Sequence, residues 1–134
     1  MHPFAAKFAE AWAQPTPERL VALLCDDVTL LQPHLPPIRG KAAARAELSR
    51  LLRWLPELHG DGFRAGGEGD VVFIEWRMRR SRTSSDFIPA VDRFLLRDGL
   101  GLERIVYFDQ FRMMRMVLAH PSLWPGFLKY RFGR

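Results

Sequence analysis

Residues 86–111, DFIPAVDRFLLRDGLGLERIVYFDQF, decide the fold. Apolar and aromatic residues run on both sides of Asp98-Gly99, a dipeptide suited to a tight hairpin turn, so two strands are predicted at about 86–97 and 101–111. Alternation puts Ile88, Ala90, Asp92 and Phe94 on one face of the first strand, and Arg104, Val106 and Phe108 on the matching face of the second. Asp92 is then a carboxylic acid standing among hydrophobes. It must be solvated, paired or part of a site.

Upstream, β-like segments at about 58–65 and 70–82 are set off by Gly66-Gly67 and Ser84-Ser85, and Ile74, Trp76 and Met78 fall on the inward parity. Short turns between consecutive strands imply antiparallel pairing. Before this meander, Phe4, Phe8 and Trp12 recur at four-residue spacing and predict an amphipathic helix over 3–13. Thr16-Pro17-Glu18 reads as a cap, a first-turn proline and a first-turn acid, opening a short helix that runs to about Leu24. Asp26-Asp27 stops it, and VTLLQ, 28–32, reads as a short strand before the proline-rich turn 33–37. Gly40 opens the longest helix, with Leu48, Leu51, Leu52 and Leu55 as its stripe and Pro56 at its end. The tail, 112–134, reads as a helix to about His120 and a second apolar segment carrying Leu123, Trp124, Phe127 and Tyr130. It is too aromatic to float free.

At 134 residues the chain has the length of one domain, 1–134, with a core over about 1–111 and a helical tail. Its 48% hydrophobic and 26% charged residues are ordinary for a soluble globular protein, and no apolar run reaches the roughly 18 residues of a membrane span. The start, MHPFAAKFAEAW, lacks the pattern of a secretory signal, so a cytoplasmic location is expected. Cys25 is the one cysteine, which excludes an internal disulfide or a thiolate metal cluster. His2, His59 and His120 have no ligand spacing, so no metal and no cofactor are expected. A formal charge of +5 and a pI near 10.1 invite a nucleic-acid reading. The densest basic cluster, Arg77, Arg79, Arg80 and Arg82, lies along one strand without an RNA or recognition-helix motif, and pairing to Glu75, Asp109 and their neighbours explains it better. Neither a nucleic-acid nor a membrane partner is expected.

Helices followed by a strand meander describe an α+β domain whose curved antiparallel sheet wraps the N-terminal helices. The order of elements, together with CDDVTLLQP, the helix-opening Gly40, and VDRFLLRDG followed by IVYFD, resembles the nuclear transport factor 2-like superfamily. That is the cystatin-like cone fold of ketosteroid isomerase, the SnoaL-type polyketide cyclases and limonene epoxide hydrolase. The resemblance covers the chain to about residue 111. It implies a cone-shaped pocket, cofactor-independent acid/base chemistry of the isomerase, cyclase or dehydratase kind, and a homodimer.

The resemblance also implies which residues have changed. Phe8 stands where ketosteroid isomerase has its oxyanion-hole tyrosine, and Gln32-Pro33 stands where it has the Asp-Pro of its general base. Asp92 falls on its second oxyanion donor and survives. Val106 replaces the acid that the cyclases and the epoxide hydrolase carry on the last strand. Glu75-Trp76-Arg77-Met78 replaces the hydrolase's Glu-Arg-x-Asp run. None of the three known mechanisms is intact.

The expected cavity is walled by Phe8, Trp12, Trp76, Met78, Arg104, Val106 and Phe108, with Gln32 and His34 at its rim, and several hundred Å³ is a normal size for such a pocket. It suits a small apolar molecule carrying a carbonyl or hydroxyl. Asp92 is the candidate catalytic residue, and two readings of it stay open. Desolvation favours a protonated acid that donates to a ligand oxygen; dense arginines favour an ion pair with Arg104, Arg93 or Arg97. His34 reads as a pocket-mouth acid/base or an exposed loop histidine, and Asp109 as an outer-face or strand-end acid. The alternative function is a non-catalytic domain that dimerises through the sheet face bearing Glu75, Arg77, Arg93 and Tyr107, its cone filled by its own side chains.

Overall fold

A computed structural model describes residues 1–133, and its first helix starts where a proline can start one. In α1 (Pro3–Ala13) the missing N–H of Pro3 costs nothing in the first turn, and Nδ1 of His2 accepts from the Phe4 N–H. The Phe4, Phe8 and Trp12 stripe is buried as its spacing predicts. α2 (Pro17–Val21) is capped by the Thr16 hydroxyl, which accepts from Arg19 N–H. The next strand begins earlier than expected: β1 (Leu24–Leu31) already contains Asp26 and Asp27. An Asp-Asp pair reads as a helix stop, but here both side chains reach solvent from the strand. Asp27 pairs with Arg97, and Asp26 lies 4.0 Å from Lys41.

β2 (Ile38–Arg39) is a two-residue strand that the proline-rich sequence conceals. Gly40, at φ +89, then lets the chain swing into α3 (Lys41–Trp54), the longest helix among the described residues. β3 (His59–Glu68), β4 (Val71–Arg79), β5 (Ile88–Arg97) and β6 (Leu100–Phe108) pair antiparallel in sequence order. Asp98 and Gly99 both have positive φ, 53° and 78°, as the predicted hairpin turn requires. The sheet is nevertheless mixed, where antiparallel pairing was expected. β1 lies parallel to β6, giving the order β2-β1-β6-β5-β4-β3. With α3 and the whole meander between them, β1 and β6 are not bound to the antiparallel pairing that a short turn imposes. Register shifts within the β1–β6, β3–β4 and β5–β6 pairs bend this sheet about the helices.

Inside the bend, Phe8 packs edge-on against Trp76 at 5.4 Å and Phe94 at 5.6 Å, and Trp12 meets Trp76 at 4.9 Å between centroids. Such aromatic pairs add roughly 0.5–1.5 kcal/mol each beyond their burial. The chain ends in α4 (Gln110–Ala119), a 3-10 turn (Pro121–Leu123) and α5 (Trp124–Phe132). β6 stops at Phe108 because Asp109 caps α4, its carboxylate accepting from the N–H groups of Phe111 and Arg112 at 2.9 and 3.2 Å. That settles Asp109 as a cap. α5 docks on α3: the Trp54 indole N–H donates to the Leu123 carbonyl, and a Cβ on Gly126 would come within 2.8 Å of Trp54 Cδ1.

The basic cluster finds partners other than those expected. Arg77 and Arg79 both pair with Asp61 across the β3–β4 ladder, instead of with Glu75 or Asp109. Arg82 donates to the Ala13 carbonyl, and Arg80 meets His120. No helix among the described residues is long and apolar enough to cross a membrane.

Candidate functional site

The inward parity holds on all three central strands. Ala90, Asp92 and Phe94 are buried on β5, Ile74 and Trp76 on β4, and Arg104 and Val106 on β6. Asp92 is directly opposite Ile74 on one side and Val106 on the other, so its diagonal neighbours are Trp76 and Arg104. Both are used. The Trp76 indole N–H donates to Asp92 Oδ1 at 2.8 Å, and Arg104 Nε donates to Asp92 Oδ2 in a short ion pair. With Asp92 at 0% and Arg104 at 7% exposure, the pair sits in the domain's interior. Of the two readings of Asp92, the ion pair with Arg104 is the one the structure shows. Arg93 and Arg97 go elsewhere, to Glu103 and Asp27.

Between this pair and the tail lies a cavity of about 70 Å³. Trp12, Gln32, His34, Trp76, Met78, Arg104, Val106 and Phe108 line it, as expected. Two expected members do not. Phe8 is buried in the aromatic cluster behind Trp12 and Trp76, and Asp92 lies behind Trp76 and Arg104. In each case larger side chains on neighbouring elements reach past it. Parity fixes a residue's face, while the length of its neighbours decides whether it meets the void. The cationic groups on the wall are Arg80 and Arg104, and the one paired with Asp92 is Arg104. The guanidinium is 5.8–5.9 Å from the ring centroids of Phe8, Trp12 and Phe94, an arrangement that favours the cation once it is desolvated.

The volume is several-fold below the several hundred Å³ expected. The difference comes from the tail, whose Met113 and Met116 cover the void opposite the sheet, and from the bulky Trp76 and Met78. Three methionines around one cavity, Met78 on β4 and Met113 and Met116 on α4, matter physically, because an unbranched thioether side chain changes rotamer at low cost. The remaining walls, Leu48, Leu51, Leu55 and Leu58, come from α3 and the turn after it.

Sequence reasoning put His34 at the rim, as a pocket-mouth acid/base or an exposed loop histidine, but missed its partners Tyr130 and Glu47. His34 is half-buried rather than a free loop side chain: its Nε2 lies 2.8 Å from the Tyr130 hydroxyl, and that hydroxyl donates to Glu47 at 2.6 Å. Glu47 is fully buried on α3, in a stretch, AARAELSR, that gives no sign of it. A second depression adjoins the cavity at Ile88 and Met116 and carries Arg112, Arg115 and His120. Among the described residues no group of three or more His, Cys, Asp or Glu side chains is arranged to hold a metal ion.

Comparison with known proteins agrees with this architecture. Residues 5–106 match the SnoaL-like domain family. A hypothetical protein with a ketosteroid isomerase-like fold from Catenulispora acidiphila, solved in complex with trimethylamine, is 18% identical and superposes with a TM-score of 0.68, covering 81% of this chain and 87% of its own. A bacterial protein with a cystatin-like fold from Silicibacter pomeroyi is 24% identical, with a TM-score of 0.64 over 98% of this chain and 94% of its own. TerC, co-crystallised with polyporic acid, is 16% identical, with a TM-score of 0.69 over 85% and 95%. At these identities the likeness is one of fold. No curated protein matches the sequence significantly.

Proposed function

This chain belongs to the SnoaL-like domain family, and from that premise we propose that it binds a small, largely apolar molecule carrying a carbonyl or hydroxyl oxygen in the cone cavity. The reaction class is the cofactor-independent acid/base chemistry of isomerases, cyclases and dehydratases. One observation carries the reading: Arg104, paired behind the wall with the buried Asp92, lines a cavity whose other linings are mostly apolar. A buried ion pair is seldom the most stable filling for an interior, since well-packed apolar residues of similar size often do better. Its retention beside a void is consistent with a task, and a guanidinium in an apolar pocket suits a ligand oxygen. Neighbours of the same fold, solved with trimethylamine and with polyporic acid, show that the fold accommodates small molecules.

The small resting volume implies that a ligand enters by moving methionines. Met78, Met113 and Met116 swing aside, and an aromatic ring takes their place against Trp12 and Phe108. A thermal-shift screen of phenols, aryl ketones and cyclic enones, followed by calorimetry, tests this with Arg104→Met alongside. The expected result is stabilisation of the wild type by at least one such class and its loss in the variant. Equal response of both proteins excludes the Arg104 site.

A second reading, a non-catalytic domain dimerised through its outer sheet face, draws on the exposure of Phe73 and Tyr107, at 44% and 53%, and on the nearly filled cone. Phe73 and Tyr107 share the outward face with Val91, Arg93 and Ile105. Light scattering of Tyr107→Glu against the wild type separates the two. A monomer that still binds ligand supports the first reading, and a dimer without ligand response supports the second.

A further inference from the structure

The net charge of this chain is confined to its tail. All 15 acidic residues precede residue 110, and over that stretch 15 of the 20 lysines and arginines balance them. The other five, Arg112, Arg115, Lys129, Arg131 and Arg134, give residues 110–134 the whole net charge of +5, with no acid among them. The cone is formally neutral and the tail is a cation.

The same segment leaves apolar surface uncovered. Of the ten exposed large apolar side chains among the described residues, six lie here: Phe111, Met114 and Leu118 on α4, and Trp124, Leu128 and Phe132 on α5. At about 3.6 residues per turn each trio forms one stripe. Met113, Met116 and Val117 turn the other side of α4 to the domain, and on α5 Gly126, Phe127 and Tyr130 face Trp54 of α3. α5 is thus apolar on two sides, and α3 covers one of them. A patch of this kind marks an interaction surface.

Cations border both stripes. Arg115 is four residues from Phe111 and three from Leu118, which makes it their neighbour on the surface of α4. On α5 Lys129 is three residues from Phe132, and the Arg131 guanidinium lies 5.1 Å from the Phe132 ring centroid. One depression is lined by Met113 and Met114 of α4 and by Phe127 and Arg131 of α5, so the edges of the two stripes adjoin.

Charge selects the occupant. A second copy of this chain would set one cationic tail against another, and like charges across an interface oppose association. Anionic lipid meets both demands of the surface at once: the boundary of the acyl layer takes tryptophan, phenylalanine and leucine, and the headgroup layer takes the long basic side chains beside them. We propose that α4 and α5 lie on the surface of a bilayer containing anionic lipid, with Phe111, Leu118, Trp124 and Leu128 at the acyl boundary and Arg115, Lys129 and Arg131 on the phosphates. Helices lying in the interface need no spanning segment, so the lack of one among the described residues has no bearing here. This contact is independent of ligand binding in the cone, and each can fail without the other.

Sedimentation of the full chain with vesicles provides the test, using phosphatidylcholine alone and phosphatidylcholine mixed equally with phosphatidylglycerol. The wild type is expected to bind the mixed vesicles, less tightly as salt rises, and to leave the neutral ones unbound. Its tryptophan emission is expected to move to shorter wavelength as Trp124, 44% exposed, leaves water. Each lysine or arginine near an anionic surface is worth about fivefold in affinity, so Arg115→Gln/Lys129→Gln is expected to bind about 25-fold more weakly. Leu118→Ser/Leu128→Ser changes positions that are 63% and 56% exposed, so it is expected to keep the wild-type melting temperature. It should bind more than about tenfold more weakly. Absence of wild-type binding to the mixed vesicles, or equal binding to the neutral ones, overturns the proposal. Undiminished binding by the leucine variant overturns insertion of the stripes. Dimerisation that the leucine variant abolishes, without vesicle binding, gives the surface to a second copy, and saturable binding of polyglutamate in place of vesicles gives it to an acidic protein; either result overturns the membrane assignment.

Discussion

Replacing Asp92 by Leu is expected to be among the most damaging single changes in this chain, and the size of the effect follows from two contacts. The variant leaves the Arg104 guanidinium buried without its carboxylate and deprives the Trp76 indole N–H of its acceptor. Breaking a buried pair by removing one partner costs about 3–5 kcal/mol. For a chain of this length about 3–4 °C of melting temperature corresponds to each kcal/mol, so a fall of about 9–20 °C is expected. The double variant Asp92→Leu/Arg104→Met removes the stranded charge and should recover most of the loss, because apolar replacement of a whole buried pair is often neutral or stabilising by about 1–4 kcal/mol. Urea and thermal unfolding followed by circular dichroism measure both. The ligand assay then divides stability from use: the double variant is expected to be stable and unresponsive. A single variant within about 1 kcal/mol of wild type would refute the claim that Asp92 holds a desolvated Arg104. A double variant that still binds ligand would refute the claim that the pair is kept for binding.

Three further outcomes follow from the same contacts. Asp109→Ala removes the cap of α4 and should cost about 1 kcal/mol by urea unfolding, with increased accessibility of Met113 and Met116 to oxidation. Gly126→Ala drives a Cβ against Trp54 and should cost about 1–3 kcal/mol, with a tryptophan fluorescence shift as α5 loosens; no change in either would place α5 elsewhere. Burial alone would raise the Asp61 carboxyl, but the hydrogen bonds and charges of Arg79 and Arg77 outweigh it and hold it below its ordinary value of 3.8. A depressed folded-state value means that the stabilisation is complete above about pH 4 and is lost as pH falls through the lower folded value. At its half-exposed position the effect is worth about 1 kcal/mol or less, so Asp61→Asn should flatten the acid limb of the stability profile only slightly.

The central strands were legible because alternation on a half-buried sheet is a strict rule. Trp76, Ala90, Asp92, Phe94, Arg104 and Val106 all point inward as their parity requires. The aromatic stripe of α1 was equally plain. What the sequence concealed depends on distance in space. Asp26 and Asp27 read as a stop because neither Lys41 nor Arg97 adjoins them in the chain. Asp61 collects the two arginines by pairing across strands, which no local pattern reveals. Phe8 and Asp92 have the right face but lie behind longer side chains, so only packing removes them from the cavity wall. The filling of the cone by Met113 and Met116 could not be read from a tail whose docking site was undefined. Glu47 looked like one more polar residue on an amphipathic helix. Its contact is with Tyr130, more than eighty residues away in the chain, whose hydroxyl also lies against the half-buried His34.

The central claim is that a small oxygen-bearing apolar molecule occupies the cone against Arg104. A crystal structure of the protein with the strongest binder from the thermal-shift screen tests it most directly. The account predicts the molecule between Trp12 and Phe108, its oxygen hydrogen-bonded to Arg104, with Met78, Met113 and Met116 displaced and the Asp92–Arg104 pair intact. A closed cone in that crystal, with the molecule bound elsewhere on the surface, would contradict it.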